Sequence, residues 1–184
     1  MLNKIQHPIL ITGTSGFVGS NLLRFFVSKN IKVNIILRKK SNIWRIKDII
    51  NEAKIFYVDL REKEKLSKII QKIKPKSIFH MAAYGAYSYQ DQVKLIKSSI
   101  LDSTMNLVNE CKKFKFNVFI NTGSNSEYGF RKEKMNENDL VKPNSDYAVF
   151  KSASTLFCQQ ESIINKLPII TVRPFHVYGP YEEP

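Results

Sequence analysis

Cysteine is scarce in this chain: Cys111 and Cys158 are two among 184 residues, too few for a disulfide framework or a metal cluster. They read as buried thiols in a reducing compartment, and a cytoplasmic location is expected, with no metal needed. No apolar run approaches the roughly 18 uninterrupted residues of a membrane-spanning helix. Lys4 and the apolar residues after it outline a secretion leader, but Thr12 to Gly16 break the run and Arg24 interrupts its continuation. Neither a leader nor a membrane partner is expected. Acidic residues are also few, 16 against 29 basic ones, which leaves a formal net charge of +13 and favours anionic partners. The lysines are nevertheless scattered, as in KEKLSKIIQKIKPK, in the manner of a solvated helix face. Basic residues interleaved with aromatics in a recognisable module are missing, so no nucleic-acid partner is expected.

What the sequence has is alternation. Short runs rich in Ile, Val and Phe are followed by longer segments of helical period, and the pattern recurs about every 25 to 40 residues, as in successive βαβ units. The spacing predicts strands over Ile9–Thr12, Lys32–Leu37, Lys54–Val58, Ser77–His80, Val118–Thr122 and Ile169–Arg173. Several of these are continuously apolar, which fits strands covered on both faces of a parallel sheet. Helices are predicted over Gly16–Lys29, Trp44–Glu52, Glu62–Ile73, Gln92–Lys113 and Asp146–Ile164. Pro75, Pro143 and Pro168 fall at the proposed boundaries, where a missing N–H does least harm. The expected fold class is α/β: a Rossmann doubly wound parallel sheet with helices on both faces, one domain over residues 1–184.

The stretch ILITGTSGFVGSNLL, residues 9 to 23, runs from the first strand through Gly13, Gly16 and Gly19 into the first helix. Gly13 permits the tight turn, Gly16 lets backbone approach a pyrophosphate, and Gly19 lets the helix pack against the sheet. The helix N-terminus offers free N–H groups and a partial positive charge to phosphates. A dinucleotide cofactor is therefore expected here. At the end of the second strand stand Leu37, Arg38, Lys39 and Lys40 with no carboxylate. A 2′-phosphate matches those cations, so NADP is favoured over NAD, the alternative being incidental surface charge. After the third strand, Asp59 can accept from an adenine amino group, cap the following helix, or do both.

Tyr147 and Lys151 are four apart in SDYAVFK and project from one helix face. A cation beside a phenol lowers its pKa toward neutrality, as a group exchanging protons with a substrate hydroxyl requires. Ser124, beyond the fifth strand in NTGSNSEYG, opens onto the same carboxyl edge and can hydrogen-bond a substrate oxygen.

The segments TGTSGFVG, VDL, FHMAA, TGSNSEYG, DYAVFK and RPFHVYGP, in that order, resemble the extended short-chain dehydrogenase/reductases, the NAD-dependent epimerase/dehydratase family, in the branch that modifies nucleotide sugars. The resemblance covers nearly the whole chain. It implies a catalytic triad of Ser124, Tyr147 and Lys151, with Tyr147 as general acid/base, Lys151 also holding the nicotinamide ribose and Ser124 orienting the sugar oxygen. It implies cofactor contacts from Gly13, Ser15, Gly16, Phe17, Val18 and Gly19, from Arg38, Lys39, Asp59 and Leu60, from Met81, Ala82, Ala83 and Pro174, and from Tyr147 and Lys151 themselves. His80 would line the cofactor or be a satisfied histidine at a strand end. Tyr84, Ser126, Phe175 and His176 are implied substrate contacts; Arg173 and Tyr178 would border nicotinamide and sugar phosphate. Tyr84, Tyr87 and Tyr89 reach the cleft or belong to a surface loop.

Members that dehydrate sugars place an acidic pair directly after the serine or threonine, where this chain has Asn125 and Ser126, with Glu127 one place late. The resemblance thus implies hydride transfer at a secondary alcohol or ketone, C4 of a nucleotide-activated sugar, by a 4-ketoreductase supplying cell-surface polysaccharide precursors. The alternatives are a 4-epimerase and, from another class, a non-catalytic dinucleotide-binding module. Relatives run to about 300 residues, so a chain ending on YGPYEEP is expected to be cut before the substrate domain. A homodimer through Gln92–Lys113 and Asp146–Ile164 is also implied.

Overall fold

The structure, a computed structural model, describes residues 5–183; Lys4 lies outside them. The apolar runs form β1 (Ile9–Thr12), β2 (Asn34–Leu37), β3 (Lys54–Tyr57), β4 (Ser77–His80), β5 (Val118–Thr122) and β6 (Ile169–Val172). All pair in parallel, in the order β3-β2-β1-β4-β5-β6. The period of two divides each run between two cores. Ile9, Ile11, Ile35 and Leu37 pack with Leu23 and Phe26 of α1 (Phe17–Ser28) on one face. Leu10, Ile36, Ile78 and Phe119 pack on the other with Leu66 and Ile70 of α2 (Lys63–Ile73) and with Leu107 and Val108. Each such fully buried aliphatic side chain contributes about 1.5 to 3 kcal/mol, and burial on both faces explains why polar alternation is missing.

Two segments depart from the expected helices. Trp44–Glu52 is not an α-helix but two 3-10 turns, Trp44–Ile46 and Ile50–Glu52. Ile43, Ile46 and Ile49 recur every third residue, and the backbone follows: Ile46 N–H donates to Ile43 O, Ile49 to Ile46 and Glu52 to Ile49. The segment Gln92–Lys113 consists of α3 (Val93–Lys97), a π-helical turn Ser98–Asp102 and α4 (Ser103–Cys111). Around that turn Ser103 Oγ donates to Ser99 O at 2.6 Å and Thr104 Oγ1 to Ile100 O at 2.6 Å, the hydroxyl back-bonding that distorts a helical ladder. The last helix, α5 (Asp146–Ile164), starts where expected, capped by Ser145, whose Oγ accepts from Ala148 N–H at 3.2 Å.

Candidate active site

The strand order reverses between β1 and β4, and the turn after β1 stands at the carboxyl edge of that switch point, where open α/β sheets take ligands. Gly13 has φ +75°, and a Cβ there would lie 2.5 Å from the Met81 carbonyl carbon and the Ala82 nitrogen, so the turn and the segment after β4 touch backbone to backbone. A Cβ on Gly19 would fall 2.2 Å from Gly13 O, which is how closely α1 rests on the turn. Gly16 differs: its added Cβ would meet only Gly13 O at 3.4 Å, so the protein itself does not demand glycine there. Gly16 is also the N-cap of α1, with no side-chain cap bond, leaving first-turn amides unpartnered by side chains. Unclaimed amides above an open glycine fit a diphosphate.

A cleft of about 380 Å³ opens over this turn, within the range of small-molecule sites. Of the expected cofactor contacts, Gly13, Ser15, Gly16, Phe17, Arg38, Asp59, Leu60, Met81, Ala82 and Ala83 line it, and so does Tyr84. Val18, Gly19, Lys39, Pro174, Tyr147 and Lys151 do not. Val18 and Lys39 are exposed outside the cleft, which Arg38 lines, and Gly19 is buried beneath the turn. Tyr87 and Tyr89 also line the cleft, their rings stacked 5.4 Å apart.

Two cations that the sequence reading missed, Arg45 and Arg61, also line the cleft. Arg45 is buried and lines the wall: Nη1 donates to Ser15 O at 3.5 Å, Nε to Tyr181 O at 2.7 Å and Nη2 to Glu183 Oε1 at 3.0 Å. The period-three isoleucines were the available signal, since they bury one side of this segment and leave residue 45 on a neighbouring one. Asp59 is engaged by Arg61, whose Nε and Nη2 reach the two carboxylate oxygens at 2.9 and 2.7 Å and hold the carboxyl below its usual range. Asp59 does not cap α2, whose N-cap is Glu62. An adenine amino group would therefore meet an ion pair in place of a free carboxylate.

On the other side of Met81 stand the triad candidates. Thr122, the last residue of β5, donates from Oγ1 to Met81 Sδ at 2.7 Å, and its carbonyl accepts from Lys151 Nζ at 2.7 Å. Lys151 is 4% exposed, and its ammonium lies 5.7 Å from the Tyr147 ring centroid, so the two share a face of α5. Burial lowers the Lys151 pKa to about 8, with Glu127 opposing. The expected lowering of the Tyr147 pKa is not found: burial raises it, the Ser124 hydroxyl pulls it back, and Glu127 adds to the rise. Desolvation prevails, and the ammonium is engaged by the Thr122 carbonyl. Ser124 Oγ donates to Ser126 Oγ at 3.0 Å and accepts from Ser126 N–H at 3.1 Å.

His80 is a satisfied histidine. Thr104 Oγ1 gives its one proton to Ile100 O, so His80 Nε2–H donates to Thr104 Oγ1 at 3.0 Å and Nδ1 accepts from Thr12 Oγ1 at 2.7 Å. Burial, with the Lys151 cation, depresses the His80 pKa to about 3 and keeps the ring neutral. Phe175, His176 and Tyr178 are exposed on the segment after β6 and outside the cleft. Arg173 does not border the cleft: it turns inward, Nε donating to Glu127 Oε2 at 2.8 Å and Nη1 to Tyr128 Oη at 2.9 Å. No group of three or more His, Cys, Asp or Glu among the described residues could hold a metal ion.

Residues 9–184 match the model of the NAD dependent epimerase/dehydratase family. Among curated proteins, a dTDP-D-glucose 4,6-dehydratase of Dictyostelium discoideum is 29% identical over 96% of this chain and 45% of its own length. Protein CapI of Staphylococcus aureus is 29% identical over 96% of this chain and 56% of its own. Among solved structures, UDP-glucuronic acid 4-epimerase from Bacillus cereus in complex with NAD superposes with a TM-score of 0.82 at 26% identity, covering 96% of this chain and 58% of that one. The chain thus spans about half the length of the curated relatives it matches. With the family model matched from the first strand to the end of the chain, over the glycine turn and all three triad candidates, this protein belongs to the NAD dependent epimerase/dehydratase family.

Proposed function

We propose that this chain carries the cofactor site and the Ser124–Tyr147–Lys151 triad of an NAD(P)-dependent oxidoreductase acting at a secondary alcohol or ketone, C4, of a nucleotide-activated sugar, as a 4-ketoreductase. One observation carries the reading: Tyr147 and Lys151 share a face of α5 next to the cleft over the glycine turn, and Lys151 is linked to its wall through Thr122, whose carbonyl accepts from Lys151 and whose hydroxyl donates to the lining residue Met81. When bound, the dinucleotide supplies hydride chemistry. Tyr147 moves a proton at its phenolic oxygen, Ser124 holds the substrate oxygen beside it, and Lys151 places a positive charge beneath the ring. A buried phenol whose pKa is raised is suited to donate a proton to a developing alkoxide, the direction a reductase needs.

Dehydration is disfavoured because Asn125 and Ser126 stand where an acidic pair would be needed, and the Glu127 carboxylate is buried and turned away. Arg38 at the cleft supports NADP. A 4-epimerase is the second reading, supported by the likeness to a UDP-glucuronic acid 4-epimerase holding NAD. A homodimer of a cytoplasmic enzyme belongs to the same proposal: Val149, Leu156 and Ile163, seven residues apart on α5, are exposed apolar side chains suited to a second copy. The test is Tyr147→Phe in the longest version of the protein, assayed with nucleotide sugars and either NADPH or NADH. Turnover is expected to fall by 100-fold or more, about 3 kcal/mol of transition-state stabilisation. Undiminished turnover overturns the assignment.

A further inference from the structure

Glu127 is a carboxylate with no exposure to solvent, one turn behind the triad serine. Ser124 N–H donates to its Oε1 at 2.9 Å, Thr155 Oγ1 to the same oxygen at 3.0 Å, and Arg173 Nε to Oε2 at 2.8 Å. With Ser124 as N-cap, this closes a capping box on the 3-10 turn Asn125–Tyr128, and the extended backbone of Ser124, φ −159° and ψ 148°, is held from both sides. Gly123 leaves room for the arrangement, since a Cβ there would sit 2.5 Å from Oε1. A buried charge costs several kcal/mol unless it is repaid by ligands, and this one ties together the ends of β5 and β6 and the middle of α5.

Lys151 shows what the charge is for. Its ammonium is buried and, among the described residues, has a single hydrogen-bond acceptor, the Thr122 carbonyl. Tyr147 stands beside it on its own helix, and Glu127 approaches from the turn after β5. The Glu127 Oε1 accepts from Ser124 N–H, two residues past the Thr122 carbonyl that holds Lys151, and from Thr155 Oγ1, one helical turn past Lys151. Arg173 pairs with its other oxygen, and neutral His80 lies on β4 alongside β5. Glu127 is the anion among these, and it acts on Lys151 and Tyr147 in the same sense, favouring the protonated form of each. The nearer cation, Arg173, moderates that field.

We propose that Glu127 is a positioning residue for the triad: its buried carboxylate fixes the backbone of Ser124 so that the hydroxyl faces Tyr147, and it serves as the through-space counter-ion of Lys151, with Arg173 setting how much of its charge is felt. The inference rests on the triad reading above, yet its test needs no turnover. Trace labelling with acetic anhydride across pH 6 to 11, read as the modified peptide by mass spectrometry, reports the protonation midpoint of Lys151 in the intact chain.

Glu127→Gln keeps the shape and removes the charge; the midpoint is expected to move down by about half a pH unit or more. Arg173→Gln unmasks the carboxylate and is expected to move it up. A structural role alone does not predict opposite signs. Two unmoved midpoints, or two that move the same way, overturn the proposal. Should one variant fail to fold by circular dichroism, the sign of the other decides. Loss of the oxidoreductase reading would leave these shifts unchanged, so the two failures are distinguishable.

Discussion

Replacing Gly16 and Gly19 by alanine, one at a time, separates what the turn does for the fold from what it does for a ligand. At Gly19 an added Cβ falls 2.2 Å from Gly13 O and 2.7 Å from the Gly13 carbonyl carbon. Both are backbone atoms that cannot rotate away, so α1 must slide outward by roughly 1 Å, loosening Leu23 and Phe26 from the sheet. Overpacking of this kind costs about 3 kcal/mol. The better helix propensity of alanine returns about 1 kcal/mol. The net loss is about 2 kcal/mol, a fall of about 4 to 8 °C in thermal midpoint for a chain this long. At Gly16, by contrast, φ −87° and ψ 171° are open to any residue, and the nearest protein atom to the new methyl is 3.4 Å away. Stability is expected to stay within about 0.5 kcal/mol of wild type. The methyl nevertheless projects where the α1 amides would meet a diphosphate, and affinity for NADPH and NADH is expected to fall at least tenfold, about 1.4 kcal/mol. Thermal melts followed by circular dichroism measure the first effect and titrations of coenzyme fluorescence the second. Unchanged coenzyme affinity in Gly16→Ala refutes the placement of the diphosphate, and an unchanged melt in Gly19→Ala refutes the packing argument.

The two cations after β2 are expected to behave differently: Arg38→Ala lowers NADPH affinity about tenfold with little change for NADH, whereas Lys39→Ala, outside the cleft, changes neither. Equal losses in both variants would mean that nonspecific surface charge is responsible. His80 gives the fold an acid limb. Its pKa falls from 6.5 in the unfolded chain to about 3 in the folded one, so the unfolded state binds the extra proton between those values. Stability contributed by the neutral ring is full above pH 6.5 and is lost as pH falls toward 3, at up to about 1.4 kcal/mol per pH unit. Urea midpoints of wild type and His80→Gln at pH 7, 5 and 4 check this, with a shallower decline expected in the variant.

The strands were legible because each is a short apolar run bounded by turn residues, and burial on both sheet faces needs only that run. The glycine turn was legible for a similar reason: its position between a strand and an amphipathic helix is a local pattern. So was the Tyr147–Lys151 pair, since a spacing of four on a helix decides which side chains share a face. Less legible was the stretch from Trp44 to Glu52, where isoleucines at intervals of three, diluted by polar residues, pass for an α-helical face until the i to i+3 hydrogen bonds are seen.

Local pattern says which way a side chain leaves its own backbone, and it settled the sheet, the turn and the helix that carries the tyrosine. It says nothing of what another segment brings to meet that side chain. Only the assembled chain decided that Arg38 faces the cleft and Lys39 does not, that Asp59 is claimed by Arg61, and that Arg45 reaches back to the turn after β1. Only the assembled chain placed the Glu127 carboxylate inside, against Arg173 from 46 positions away, and made burial rather than the neighbouring ammonium the stronger influence on Tyr147. Charge, desolvation and pairing depend on distances through space, and those exist only once the strands have aligned.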